Sequence, residues 1–206
     1  MMFGLGPGKK DQREAFWAWI VKNRALIDRD VRTLSKGSEP SNLITRVLGE
    51  RLRRVHPDLV HELGVDADGL VEIIVSCDGI RSAFPDASAL VGAAPLVAGF
   101  KFTAFRPRVD PSVRLGIGGM DLCLEQVGYI SWPEKEKLGL EVFINATADE
   151  GALKAAAFIL LDMALGEFDV GTGIGTIEVK SGVSSEAKPL TELASEFDAF
   201  RGATVH

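Results

Sequence analysis

The sequence predicts an α+β fold: one mainly antiparallel sheet with helices on one face, a ferredoxin-like core with an enlarged middle, and an N-terminal helical hairpin. Three observations predict it. Residues 70–105 read strand, helix, strand; residues 138–180 read the same way; and the segment between them reads as short strands separated by turns. Two βαβ-like units bracketing antiparallel strands make an α+β sandwich.

Each element has a local reason. Residues 1–10 are Gly-rich and read as a tail. Asp11-Gln-Arg-Glu14 opens a helix whose Phe16, Trp17, Ile20, Val21, Ala25 and Ile27 share a face, running to about Val31. Lys36 to Ser41 is a loop. A second helix, 41–56, carries the stripe Ile44, Val47, Leu48 and Leu52 and stops at Pro57. His61 to Val65 reads as a short strand. Leu70 to Ser76 is a stronger one, apolar enough to be buried on both faces. Asp78-Gly79 turns the chain into a helix over Ser82–Ala94, with Pro85 in its first turn, where proline is tolerated. Gly99 to Phe105 is the next strand, closed by Pro107 and Pro111.

Val113–Ile117, a turn at Gly118-Gly119, a helical turn near 121–125, and Gln126–Trp132 make the β-rich middle. After the polar turn Pro133–Lys137, the residues Leu138, Leu140, Val142 and Ile144 alternate along one strand face. Thr147-Ala-Asp-Glu150 fits a capping box for a helix over 148–165, and Gly166 fits its stop. Gly171-Thr-Gly-Ile-Gly175 reads as a loop leading into the strand Thr176–Lys180. The expected organisation is a single domain over 11–206: a hairpin at 11–58, sheet and helices at 61–182, and a tail at 183–206 with a short helix carrying Leu190, Leu193 and Phe197.

Composition narrows function. A chain of 206 residues with 46% hydrophobic content can bury a sizeable core. A net charge of −6 argues against nucleic acid and anionic membrane, both of which call for a basic face. No apolar run reaches membrane-spanning length and no leader pattern is visible, so the expectation is a cytoplasmic protein. Cys77 and Cys123 are far apart and read as small buried hydrophobes.

The motifs give little chemistry. The glycines at 171–175 follow a helix and open a strand, the reverse of a dinucleotide loop. His56, His61 and His206 have no zinc-like spacing with other ligands. No nucleophile–base pair stands out, so no catalytic residue, metal or cofactor is assigned. Trp17 and Trp19 point in different directions on their helix, so one should be less buried. The remaining constellation comes from topology. If the strands at 70–76 and 99–105 are parallel, one sheet edge gathers Asp78, Arg81, Arg106, Arg108, Trp132, Glu167 and Asp169. Arginines with carboxylates beside a tryptophan suit an anionic or mixed-charge ligand, with Arg81, Arg106, Arg108, Trp132, Glu167 and Asp169 as its contacts. Structural ion pairs tying loops together are the weightier alternative. Either way, Arg106 or Arg108 should reach Glu167 or Asp169.

Phe102-Thr-Ala-Phe-Arg-Pro-Arg108, Ala164-Leu-Gly-Glu-Phe-Asp-Val170 and the aromatic first helix resemble a family of uncharacterised bacterial cytoplasmic proteins. That family has similar Phe-Arg-Pro-Arg and Ala-Leu-Gly-Glu-Tyr-Asp segments; Phe168 stands here in place of the tyrosine. The resemblance covers most of the chain and implies a cytoplasmic α/β protein with no established reaction. The expected function is therefore binding, to another protein, as an interaction or regulatory module. The alternative is a small-molecule binder or enzyme built on the arginine–carboxylate edge.

Overall fold

The computed structural model describes residues 8–34 and 42–204. They fall into two compact units, the first ending at Phe105 and the second beginning at Arg106, where the sequence suggested no boundary. The expected tail and the 36–41 loop lie outside the described residues, apart from Gly8, Lys9 and Lys10, of which the two lysines already belong to the first helix.

The first unit contains α1 (Lys9–Leu34), α2 (Asn42–Val55), β1 (Val60–Val65), β2 (Val71–Ser76), α3 (Phe84–Gly92) and β3 (Phe100–Ala104). The sheet order is β1-β2-β3, with β1 antiparallel and β3 parallel to β2. Its core combines Phe16, Trp17, Ile20 and Ile27 of α1 with Ile44, Leu48 and Leu52 of α2 and Val71, Ile73 and Val75 of β2. The expected burial of β2 on both faces is not found. Val71, Ile73 and Val75 are wholly buried, whereas Glu72 and Ile74 are half-buried. The helices cover one face only. On the other, Glu72 pairs with Lys101 at 3.0 Å and accepts from the Thr103 hydroxyl at 2.5 Å.

The second unit contains β4 (Leu115–Ile117), β5 (Met120–Leu122), β6 (Val127–Glu134), β7 (Lys137–Ile144), α4 (Glu150–Leu165), α5 (Glu167–Gly173), β8 (Ile174–Ser181), β9 (Lys188–Pro189) and α6 (Leu193–Thr204). β4 and β5 form a hairpin through Gly118 and Gly119, both at positive φ. The larger sheet runs β8-β7-β6-β9, with only β7 and β8 parallel. Leu138, Leu140, Val142 and Ile144 are all buried against α4, as their alternation required.

The class is the expected one: α+β, mostly antiparallel, with an N-terminal helix pair. The continuity of the sheet is not. The strands make a three-stranded, a two-stranded and a four-stranded sheet rather than one. Each larger sheet already buries its apolar face under helices of its own unit, so burial does not require a shared edge.

Two local readings are corrected. The N-cap of α4 is Asp149, whose Oδ1 accepts from the Ala152 N–H at 2.9 Å, so the helix starts two residues later than a Thr147 cap requires. Residues 167–173, read as chain leading into a glycine loop, form α5 instead. Gly173 permits close packing there: a Cβ would overlap the Phe197 ring. The C-terminal helix does dock, with Leu190, Leu193 and Phe197 buried.

Candidate functional site

The charged cluster of the second unit starts at Gly166. This residue joins α4 to α5 at φ +83°, a conformation that favours glycine. An added Cβ would lie 3.3 Å from the Arg106 carbonyl oxygen and 3.5 Å from the Arg108 nitrogen, so the 106–108 segment packs directly on this junction. The contact is reciprocal. The Glu167 N–H donates to the Arg106 carbonyl at 3.0 Å, and the Arg106 N–H donates to Glu167 Oε2 at 3.1 Å. Glu167 is wholly buried. The Val109 N–H continues the seam to the Met163 carbonyl at 2.9 Å.

Arg108 is the hub. Its Nε donates to the Leu165 carbonyl at 2.9 Å, satisfying an orphan acceptor at the end of α4. Nη1 and Nη2 grip the Asp198 carboxylate at 2.8 and 2.7 Å, and Nη2 also donates to Asp169 Oδ2 at 3.1 Å. The hydrogen bonds to Asp198 and then Asp169 outweigh partial burial and hold the guanidinium pKa above its ordinary value. Arg108 in turn holds the Asp198 carboxyl below the usual range. Arg106 Nη1 lies 3.5 Å from Asp162 Oδ2. The expected pairing across about sixty residues is therefore present, as Arg108–Asp169. With four of five guanidinium N–H donors engaged inside the unit, Arg108 clamps α4, α5 and α6 together.

The other sequence candidates are carried by other elements. Trp132 lies on the β6–β7 hairpin, its indole occupying the space a Cβ on Gly139 would need. Arg81 and Asp78 belong to the first unit, Arg81 in a single helical turn before α3 and Asp78 in the turn after β2 at φ +47°. Sequence reasoning missed Asp198 and Asp162, which complete the network from two different helices.

It also missed a second polar cluster in this unit. The Glu196 carboxylate accepts from the Tyr129 hydroxyl at 2.8 Å, from the Ser131 hydroxyl, and from Lys188 Nζ at 2.6 Å. Burial acts to raise the Glu196 pKa, but the bonds from Lys188, Ser131 and Tyr129 win and lower it. Burial, followed by the bond to Glu196, pushes the Tyr129 phenol up. Its evident work is to fasten α6 to β6 and β9.

The first unit has a different kind of feature. A groove of about 780 Å³ runs between α1 and the end of α3. On α1 it is lined by Lys10, Arg13, Glu14, Trp17, Ala18 and Val21, a single helix face at i, i+3, i+4, i+7 spacing. Ala89, Ala93 and Pro95 form the opposite wall. The floor is apolar because Trp17 is buried with its indole N–H donated to the Leu90 carbonyl at 2.9 Å, leaving the ring without a free donor. Trp19 diverges as expected: it is half-buried under the Arg51 guanidinium, 4.8 Å from its ring centroid. A second trough of about 590 Å³, lined by residues 94–98 with Phe100 and Phe102, shares Pro95 with the first. No sequence motif marks these walls; the available signal was a run of small residues at exposed helical positions.

Among the described residues, no group of three or more His, Cys, Asp and Glu could hold a metal ion, and both cysteines are buried and not disulfide-bonded. No helix there is long and apolar enough to cross a membrane. No protein-family model, curated protein or solved structure matches the chain.

Proposed function

We propose that the protein acts by binding another protein, as an interaction or regulatory module, and that the groove between α1 and α3 is where it binds. We also infer a cytoplasmic setting and kinship with the bacterial family that shares the Phe-Arg-Pro-Arg segment. The observation that carries the reading is the groove itself: apolar walls of Trp17, Ala18, Val21, Ala89 and Ala93, rimmed by charges. An apolar centre with a charged rim is the anatomy of a protein–protein interface. The net charge of −6 speaks against nucleic acid as the partner. A small-molecule site at the arginine–carboxylate cluster draws less support, because Arg108 is already bonded to Asp198, Asp169 and Leu165.

Affinity capture with the tagged chain tests the reading. Ala18→Glu and Ala89→Glu place carboxylates in the groove at exposed helical positions. A partner held by the wild type should be lost with either variant. Capture that survives both, yet disappears with Arg108→Ala at an unchanged melting temperature, would move the function to the charged cluster.

A further inference from the structure

We propose that the open edge of β3 captures an extended segment of a partner protein as an added strand, with alternate side chains of that segment seated in the trough running past Pro95. The inference rests on the reading of the groove as a protein-binding site and specifies its partner.

The backbone supplies the argument. β3 is the end strand of its sheet. The Val71 N–H donates to the Gly99 carbonyl at 2.9 Å and the Phe105 N–H to the Val75 carbonyl at 2.8 Å, with Val71 opposite Phe100 and Val75 opposite Ala104. In a parallel pair this phase commits residues 99, 101, 103 and 105 to β2. Phe100, Phe102 and Ala104 therefore point their main-chain groups away from the sheet. The Phe100 N–H is taken by the Val97 carbonyl at 3.1 Å. What remains is the Phe100 carbonyl, both groups of Phe102 and the Ala104 N–H, with no partner among the described residues. Buried strands rarely leave such groups unmade, and exposed edges are commonly blunted by charge, proline or a bulge. Here the outward-bonding residues are two phenylalanines and an alanine.

The surroundings fit the same occupant. Side chains of an added strand fall alternately on the two faces of the sheet. On the helix-covered face they meet the trough at Pro95, Phe100 and Phe102, beside a fully exposed Leu96. Phe102 packs edge-on against Trp17, 4.7 Å between centroids, so this trough and the α1 groove share one aromatic wall. The rim offers Lys10 and Arg13 against the single acid Glu14, a local positive balance in an acidic chain. The segment that fits is extended, apolar at alternate positions, and acidic at one flank. Main-chain bonds would give it affinity and the trough would give it specificity.

Ala104→Pro is the informative change. It removes an outward N–H and fills that space with the ring, while every bond to β2 stays available; prolines are accepted on edge strands for this reason. Short peptides are selected on the full chain from a random display library, then measured against wild type, Ala104→Pro and Ala18→Glu. The expected peptides alternate apolar residues, bind Ala104→Pro at least about tenfold more weakly, and slow hydrogen exchange at the Phe102 and Ala104 amides of the wild type. Because exchange is read on the wild type, misfolding of the variant cannot hide a failure. Peptides with helical i, i+3, i+4 spacing that lose binding only to Ala18→Glu, or bound peptides that leave both amides unprotected, overturn strand addition while the groove stands. Peptides bound equally by all three proteins, or none selected, overturn both. Edge-to-edge dimerisation of the chain, abolished by Ala104→Pro, would assign the edge to a second copy and overturn the proposal.

Discussion

Leu160→Ala should be one of the most costly single changes in the second unit, and its cost can be set against the cap of the same helix. Leu160 is wholly buried between α4 and the β6–β7–β8 sheet. The substitution removes three carbons, worth roughly 0.8 kcal/mol each in transfer, so roughly 2.4 kcal/mol is the floor. The cavity left behind raises the cost toward about 5 kcal/mol, depending on how far the site collapses. Its neighbours on α4 include Ala156, Ala157 and Ala164, whose methyl groups cannot reach into the gap. We therefore expect a value above that floor, about 3–5 kcal/mol. Asp149→Ala removes the real N-cap and should cost about 0.5–2 kcal/mol. Thr147→Ala should stay within about 0.5 kcal/mol, because the helix begins after it. Urea melts followed by circular dichroism give all three. At a slope of about 2 kcal/mol per M, Leu160→Ala lowers the midpoint by roughly 1.5–2.5 M. A Thr147→Ala loss equal to that of Asp149→Ala would refute the assigned cap, and a Leu160→Ala loss below about 1 kcal/mol would refute a packed α4.

Acid should act through His61. Burial and then Arg53 on the facing α2 lower its pKa, Glu62 opposes them, and its Nε2 is buried without a hydrogen-bond partner. A depressed folded pKa means the neutral ring contributes stability above the unfolded value of about 6.5, and that stability is lost as pH falls through the folded value. Wild type should therefore lose more stability than His61→Leu between pH 7.5 and 5.5, and equal losses in paired urea melts would exclude the histidine. Gly166→Ala should cost about 1–3 kcal/mol, since φ +83° strains any Cβ and the Arg106 carbonyl stands 3.3 Å away; an unchanged thermal midpoint would contradict the described junction. Arg108→Leu should lower stability more than Asp198→Asn, because it uncovers two carboxylates and the Leu165 carbonyl at once, and the Asp198 share should be lost as pH falls from the unfolded carboxyl's value of about 4 through the lower folded one; thermal melts at neutral and acid pH read both effects.

The parts legible in the sequence were those decided by local periodicity. Leu138, Leu140, Val142 and Ile144 could only be one strand face, and Ile44, Leu48 and Leu52 only one helix face. What was illegible depended on distant partners. Thr147 and Asp149 are both good N-caps, and nothing within a few residues chooses between them. Gly171 and Gly173 argue against a helix by propensity, yet α5 forms, and the glycine at 173 answers to a distant partner, because a side chain there would meet Phe197 of α6. Parallel strands at 70–76 and 99–105 were predictable from their crossover; that β3 would be an end strand was not, because an absent partner leaves no local trace. The Arg108–Asp169 pair was foreseen from topology, but Asp198 lies on a helix whose packing no nearby residue announced.

The same contrast bears on where function can reside. A site must offer a ligand something the folded chain has not already used. Arg108 offers little: its donors are committed, and withdrawing them would take those bonds from Asp169, Asp198 and the Leu165 carbonyl. Glu196 is committed in the same way to Tyr129, Ser131 and Lys188. The β3 edge is the reverse case. Its main-chain groups at Phe102 and Ala104 make no bond among the described residues, and the adjoining wall keeps Leu96 and Val21 exposed. Occupying that edge breaks nothing and buries apolar surface, so binding there gains free energy where binding at either charged cluster must first lose it.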